Sequence, residues 1–197
     1  MRYENADLSY KEFESFSLEG ESFKASTLTC AKFSNCVLKG IDFSEGFLAE
    51  AVFEDYILEN CNFQHANLQR CKFIKCNIKN SCFSSAYMGQ VLFEECVIDD
   101  CDFSASQIPD GEFIKTTLQY TSFEGSYVKS GVFESAFLKD VNLSFADLRK
   151  TSFRNTVFEN ITDKDALFYG KNPGVRRNLP KTGTNLRATV LTDPHPL

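Results

Sequence analysis

The chain has 197 residues, of which 43% are hydrophobic and 24% charged, with 20 Phe, 7 Tyr, 8 Cys and no Trp. That length fits one domain, and a formal charge of −6 disfavours nucleic acid as a direct partner. No stretch approaches the ~20 consecutive apolar residues of a membrane span. Residues 1–7 carry acids and no apolar core, so they do not read as a secretory or organellar address, and a cytoplasmic location is expected.

An internal repeat dominates the chain. Every fifth residue from Leu8 is apolar: Leu8, Phe13, Leu18, Phe23, Leu28, Phe33, and so on without insertion to Leu148, Phe153 and Phe158. Phe and aliphatic residues alternate along most of it, which adds a second period of ten. Five fits neither the 3.6-residue period of a helix nor the two-residue period of a flat strand. A chain that turns a corner every five residues closes a square coil in twenty. Each coil then points four large residues inward, and coils stack at the ~4.8 Å strand spacing. Phe at every second centre is expected to pack face over face with its counterparts above and below.

The residue two before each centre is mostly small, as at Ala31, Cys36, Ala51, Cys61, Ala66, Cys71, Cys76, Ser81 and Ala86. A small residue, any residue, Leu or Phe, then two more, held in register over residues 6–160, resembles the pentapeptide-repeat family. The resemblance implies an all-β fold, a right-handed quadrilateral parallel β-helix. The expected organisation is a solenoid over residues 1–160, a capping segment over 161–170 and a basic, proline-containing tail over 171–197.

Six cysteines (Cys36, Cys61, Cys71, Cys76, Cys96, Cys101) occupy the small inward position, whereas Cys30 and Cys82 do not. Cys there reads as a small buried hydrophobe. Cys76 and Cys96, twenty apart, should be neighbours and are expected to remain thiols. With only His65 and His195 as imidazoles and no CxxC pair, neither a metal site nor a cofactor is expected. Lys11 and Glu21 also fall at small inward positions, which predicts an irregular first coil that resists end-to-end pairing.

The register fails at Asp163. Residues 162–165 read as a capping-box-like helix start with Gly170 as its stop. The rival reading is one more repeat, because Ala166 and Phe168 are in register. The tail is basic, with Arg176, Arg177, Lys181 and Arg187 as candidate partner contacts. Its Leu179-Pro180-Lys181-Thr182-Gly183 spells a sortase-type motif, but no apolar segment follows it within the sequence, so it reads as incidental.

A square prism turns the sequence into columns of residues twenty apart. Glu19, Lys39, Glu59, Lys79, Asp99, Gln119, Lys139 and Glu159 form one column of nearly alternating charge. Asp55, Lys75, Glu95 and Lys115 form another. The column Val37, Ile57, Val97, Phe137 and Val157, interrupted by Asn77 and Thr117, is outward-facing and apolar. β-branched residues suit any strand surface. Such a stripe also suits a protein partner or a second copy of the chain.

No Ser-His-Asp arrangement, phosphate loop or His cluster is present, so catalysis is not expected. The leading expectation is a non-catalytic protein–protein interaction scaffold whose partner the sequence does not name. The family resemblance implies an alternative, the quinolone-resistance type, whose members resemble B-form DNA and bind DNA gyrase or topoisomerase IV. That subgroup's projecting loops have no counterpart here, and its hydrophobic C-terminal helix is replaced by a basic tail. Residues 1–162 hold 24 of the 27 acids and 15 of the 21 bases, spread over the faces, and Arg70, Lys72, Lys75 and Lys79 form a basic band. Gyrase is therefore the weaker candidate. An effector or immunity factor is a third reading.

Overall fold

The computed structural model describes residues 3–15 and 17–168. It is the expected right-handed quadrilateral β-helix, all-β, with about eight turns. Two faces are continuous parallel sheets of short strands. One has seven strands, from Glu12–Glu14 to Val132–Glu134, and the other eight, from Ser17–Glu19 to Val157–Glu159. Every strand pairs in a register of twenty, for example Phe53 with Phe73 and Ile98 with Leu118. On the other two faces single parallel bridges such as Asn67 with Tyr87 hold the same register. Only the end of one of them pairs as a sheet, Asp147–Leu148 with Leu167–Phe168.

Corners explain the five-residue period. Every fifth described residue adopts a left-handed conformation, with φ near +60°, from Asn5 to Asp165. Glycine fills this position only at Gly20, Gly40 and Gly125. Elsewhere an L-residue accepts the strain of roughly 1–2 kcal/mol, eased where Asn or Asp stands there. The compensation is coil-to-coil pairing. The corner N–H of Lys75 donates to the Glu94 carbonyl at 2.8 Å, and that of Asn60 to the Lys79 carbonyl at 3.0 Å. On the most polar face, Asp42, Asn62, Asp102 and Asn142 accept the N–H two residues on, which fixes the turn.

Two Phe ladders fill the prism from opposite faces. Phe13, Phe33, Phe53, Phe73, Phe93, Phe113, Phe133 and Phe153 stack ring over ring, with Phe33–Phe53 at 4.6 Å and 2°. Phe23 to Phe123 do the same on the other side. Where the ladders meet the rings are edge-to-face, as for Phe43 and Phe53 at 6.3 Å and 84°. Each buried ring contributes about 1.5–3 kcal/mol by transfer, with ~0.5–1.5 kcal/mol more from such geometry. Tyr3 stacks on Phe23 at 4.5 Å, so the inward column begins one residue-five earlier than Leu8.

At the first coil the structure corrects the sequence reading, and at the last it agrees with the second of the two readings, one more repeat. The described residues of the first coil are regular in backbone despite Lys11 and Glu21: Glu12–Glu14 pairs with Lys32–Ser34, and the Lys11 N–H closes its turn on the Leu8 carbonyl. Lys11 simply leaves the core for solvent. At the other end the expected helix start is another stretch of coil. Thr162 bridges Asn142, Asp165 takes the left-handed corner, and Leu167–Phe168 is a strand. A positive φ at Asp165 is incompatible with a helix, and Ala166 is buried in the small position.

Candidate functional site

The residues of the apolar column, with the polar ones that interrupt it, form one unbroken stack in the structure. Parallel pairing stacks Ser17, Val37, Ile57, Asn77, Val97, Thr117, Phe137 and Val157 in that order on the eight-stranded face. Ile57 and Val97 are each 43% exposed and Val157 47%, while Val37 and Phe137 are half-buried. Strand alternation forces this arrangement. With Leu38, Leu58, Ile78, Ile98, Leu118 and Leu138 inside, the preceding residue must face out.

Charges flank the column. Lys39 pairs with Glu59 at 3.2 Å, Lys139 with Glu159 at 3.2 Å and Lys115 with Glu95 at 3.1 Å, each across one coil. The Glu159 carboxylate raises the Lys139 ammonium above its usual range. These solvated pairs add little stability, but they hold long side chains down along the strand face. Asn77 interrupts the stripe, and its Oδ1 is buried without a partner.

Sequence reasoning missed a column on the opposite face. Phe47 and Tyr87 are exposed and Tyr127 half-buried, alternating with Asn67 and Gln107. The signal was a forty-residue period at the position before the centre. Phe47, Val52 and Ile57 are followed by Tyr87, Leu92 and Val97, then by Tyr127, Val132 and Phe137, while the coils between carry polar residues. The candidate tail contacts Arg176, Arg177, Lys181 and Arg187 lie outside the described residues.

The cysteines are more than small apolar fillers. Thiols of Cys36, Cys61, Cys76, Cys96 and Cys101 donate to main-chain carbonyls, as Cys96 does to Phe73 at 3.2 Å and Glu94 at 3.4 Å. Thr116 and Thr156 make the equivalent bonds in the same column. Burial pushes the Cys61 thiol up to about 11 and Cys101 to about 12. Cys76 is raised by burial and by Cys96 beside it. Hydrogen bonds from the Cys76 thiol and amide lower Cys96. All eight cysteines are free. Tyr56, an aromatic side chain at a small inward position, ends with its hydroxyl unpaired in the core. Burial raises that phenol strongly. Among the described residues no group of three His, Cys, Asp or Glu could hold a metal ion, and no helix is long and apolar enough to cross a membrane.

Two family models match the chain: "Pentapeptide repeat region" over residues 66–139 and "Pentapeptide repeats (8 copies)" over residues 132–160. No curated protein matches it in sequence. Among solved structures, full-length QnrB1, a plasmid-mediated fluoroquinolone resistance protein, is 14% identical with a TM-score of 0.54, covering 84% of this chain and 96% of that one. A trypsin-treated variant of QnrB1 is 14% identical with a TM-score of 0.53, covering 91% and 95%. HetL, a pentapeptide repeat protein involved in heterocyst differentiation regulation from the cyanobacterium Nostoc sp. strain PCC 7120, is 20% identical with a TM-score of 0.22, covering 75% and 86%. The QnrB1 likeness is one of fold. Together with the unbroken five-residue register, the family matches establish that the chain belongs to the pentapeptide-repeat family.

Proposed function

We propose that this protein is a non-catalytic interaction scaffold that receives a protein partner on its eight-stranded face. The observation that carries the reading is the apolar stripe: Val37, Ile57, Val97, Phe137 and Val157 in one rigid column, partly solvent-exposed and bordered by charge. Exposed apolar area of this kind on a flat, preorganised surface favours association at small entropic cost. Replacing Val97 and Phe137 together with Lys keeps the fold, since both point outward, and abolishes partner capture or self-association. Unchanged pull-downs and light scattering from that variant would remove the stripe from consideration.

The quinolone-resistance type that the family resemblance implies gives a second reading, mimicry of DNA toward gyrase or topoisomerase IV, and the fold shared with QnrB1, a fluoroquinolone resistance protein, is compatible with it. The charge layout weighs against it. A mimic concentrates acid along one stripe, whereas here acids and bases alternate up the columns and no acid occurs between Glu59 and Glu94. Titrating the protein into a gyrase supercoiling assay, with and without a fluoroquinolone, separates the two. No effect at micromolar protein is expected, and inhibition or drug protection would reverse the ranking.

A further inference from the structure

The eight-stranded face carries a pattern that neither the stripe nor the charge columns show alone. Apolar residues ride on acidic coils: Asp55, Ile57 and Glu59 share one coil, and Glu95, Val97 and Asp99 another. Between and beyond them, polar residues ride on basic coils: Lys75, Asn77 and Lys79, then Lys115 and Thr117. From the coil of Asp55 and Glu59 to that of Glu95 and Asp99 the face therefore alternates in sign with a period of two coils, both flanking columns in phase, whereas Val37 and Phe137 share their coils with Lys39 and Lys139.

Such a face is complementary to itself. We infer that two copies of this chain pair through it, face to face with their solenoid axes antiparallel, about a two-fold axis passing between the coils of Ile57 and Asn77. This rests on the scaffold reading above and names the occupant as a second copy. A two-fold along the strand direction keeps each column over its own kind and reverses the coil order. Glu59 then faces Lys79 of the partner subunit, Asp55 faces the partner's Lys75, and Lys39 faces the partner's Asp99. Each of these contacts occurs twice. Val37 meets the partner's Val97, and Ile57 packs on the partner's Asn77. Tyr120, 56% exposed, comes over Gly20 of the partner subunit, where a side chain would meet nothing within 4 Å.

Other arrangements lose either charge complementarity or overlap. Parallel axes set acidic coils against acidic coils, and so does any antiparallel register shifted by one coil. Shifting by two coils toward the C-terminal end keeps Lys75 against the partner's Glu95 and Lys79 against the partner's Asp99, but sets Lys39 against the partner's Lys139 and Glu19 against the partner's Glu159. Like charges in contact cost affinity and disfavour these registers. Shifting by two coils toward the N-terminal end opposes no like charges, but leaves only about four coils in contact. The favoured overlap spans six coils, about 29 Å at ~4.8 Å each, but is one strand face wide. That places it at the small end of specific interfaces, below about 1,200 Å², so the dimer is transient and salt-sensitive.

Sedimentation velocity on the full chain, from micromolar to near-millimolar protein at low and high salt, tests the proposal. A concentration-dependent dimer at low salt that dissociates at high salt is expected. Asp55→Lys with Glu59→Lys shifts the dimer dissociation constant up at least ~10-fold, and adding Lys75→Glu with Lys79→Glu restores it. The four-fold swap leaves like charges beside Lys39 and Asp99 within each chain, so recovery comes from contacts between copies. Phe137→Lys alone, outside the overlap, leaves the dimer intact. Circular dichroism confirms that each variant is folded. A wild-type chain that stays monomeric throughout overturns the dimer, as does a dimer indifferent to the Asp55 and Glu59 reversal or lost with Phe137→Lys. A monomeric wild type that still loses a bound partner on Val97→Lys would overturn the dimer and leave the scaffold reading standing.

Discussion

The first coil and the middle coils share one backbone plan and differ in how much it is worth. In the middle, Phe73 and Phe83 are completely buried, with stacked neighbours one coil above and one below. In the first coil, Leu8, Phe13 and Leu18 keep part of their surface in water, and Lys11 stands where the middle coils place Cys, Ala or Ser. Yet strand pairing and turn hydrogen bonds are as regular there as elsewhere. Backbone register propagates outward from a core that side chains stabilise centrally, as expected of a quasi-one-dimensional fold.

The sharpest way to break that comparison is to remove a ring from each region. Phe73→Ala should cost about 3–5 kcal/mol in urea unfolding. Phe13→Ala, at a ring that already keeps part of its surface in water, should cost less, roughly half as much. Equal losses would mean that the end coil is as well packed as the centre.

Tyr56→Phe should stabilise the protein by about 1–2 kcal/mol, because it deletes a buried hydroxyl that makes no hydrogen bond and keeps the ring against Phe33 and Phe53. A lower melting point for the variant would show that the hydroxyl is satisfied in solution. Asn77→Val should add about 1 kcal/mol by removing an unpaired buried oxygen and supplying a β-branched residue to a strand.

Cys61→Ser should change stability by no more than about 1 kcal/mol. Ser81, one coil on in the same column, already donates from that position to the Lys79 carbonyl at 2.8 Å. A large loss would return these cysteines to a purely apolar role.

The smallest expected effect is electrostatic and belongs to the C-terminal end. Hydrogen bonds from Arg149 hold the Asp147 carboxyl below its usual range. A lowered folded-state pKa contributes stability above the unfolded value, about pH 4, which is lost as pH falls through the folded one. Thermal melts from neutral pH to about pH 3 should therefore converge for the wild type and Asp147→Asn at the acid end. A constant gap would assign the difference to something other than titration.

The sequence by itself determined the coil. An uninterrupted five-residue period, with the square coil that the family resemblance implies, made face assignment, Phe stacking and the column carrying Val37 through Val157 a matter of counting. The inward position of Cys36 or Cys61 was equally plain, but not that their thiols donate to carbonyls, because hydrogen bonding depends on main-chain atoms twenty-three residues away. Composition misled at the ends. Asp163 and a capping-like run suggested a helix against the repeat that Ala166 and Phe168 kept in register, and Lys11 and Glu21 suggested an irregular coil, while pairing with a complete neighbouring coil outweighed both local preferences. The in-phase alternation of Asp55, Ile57 and Glu59 with Lys75, Asn77 and Lys79 became visible only once parallel pairing placed the corner column of Asp55 beside the two columns of the strand face. Local pattern fixes which way a side chain points in a solenoid. Which distant residues it stands beside, and hence what the face can recognise, is decided by the stacking of coils.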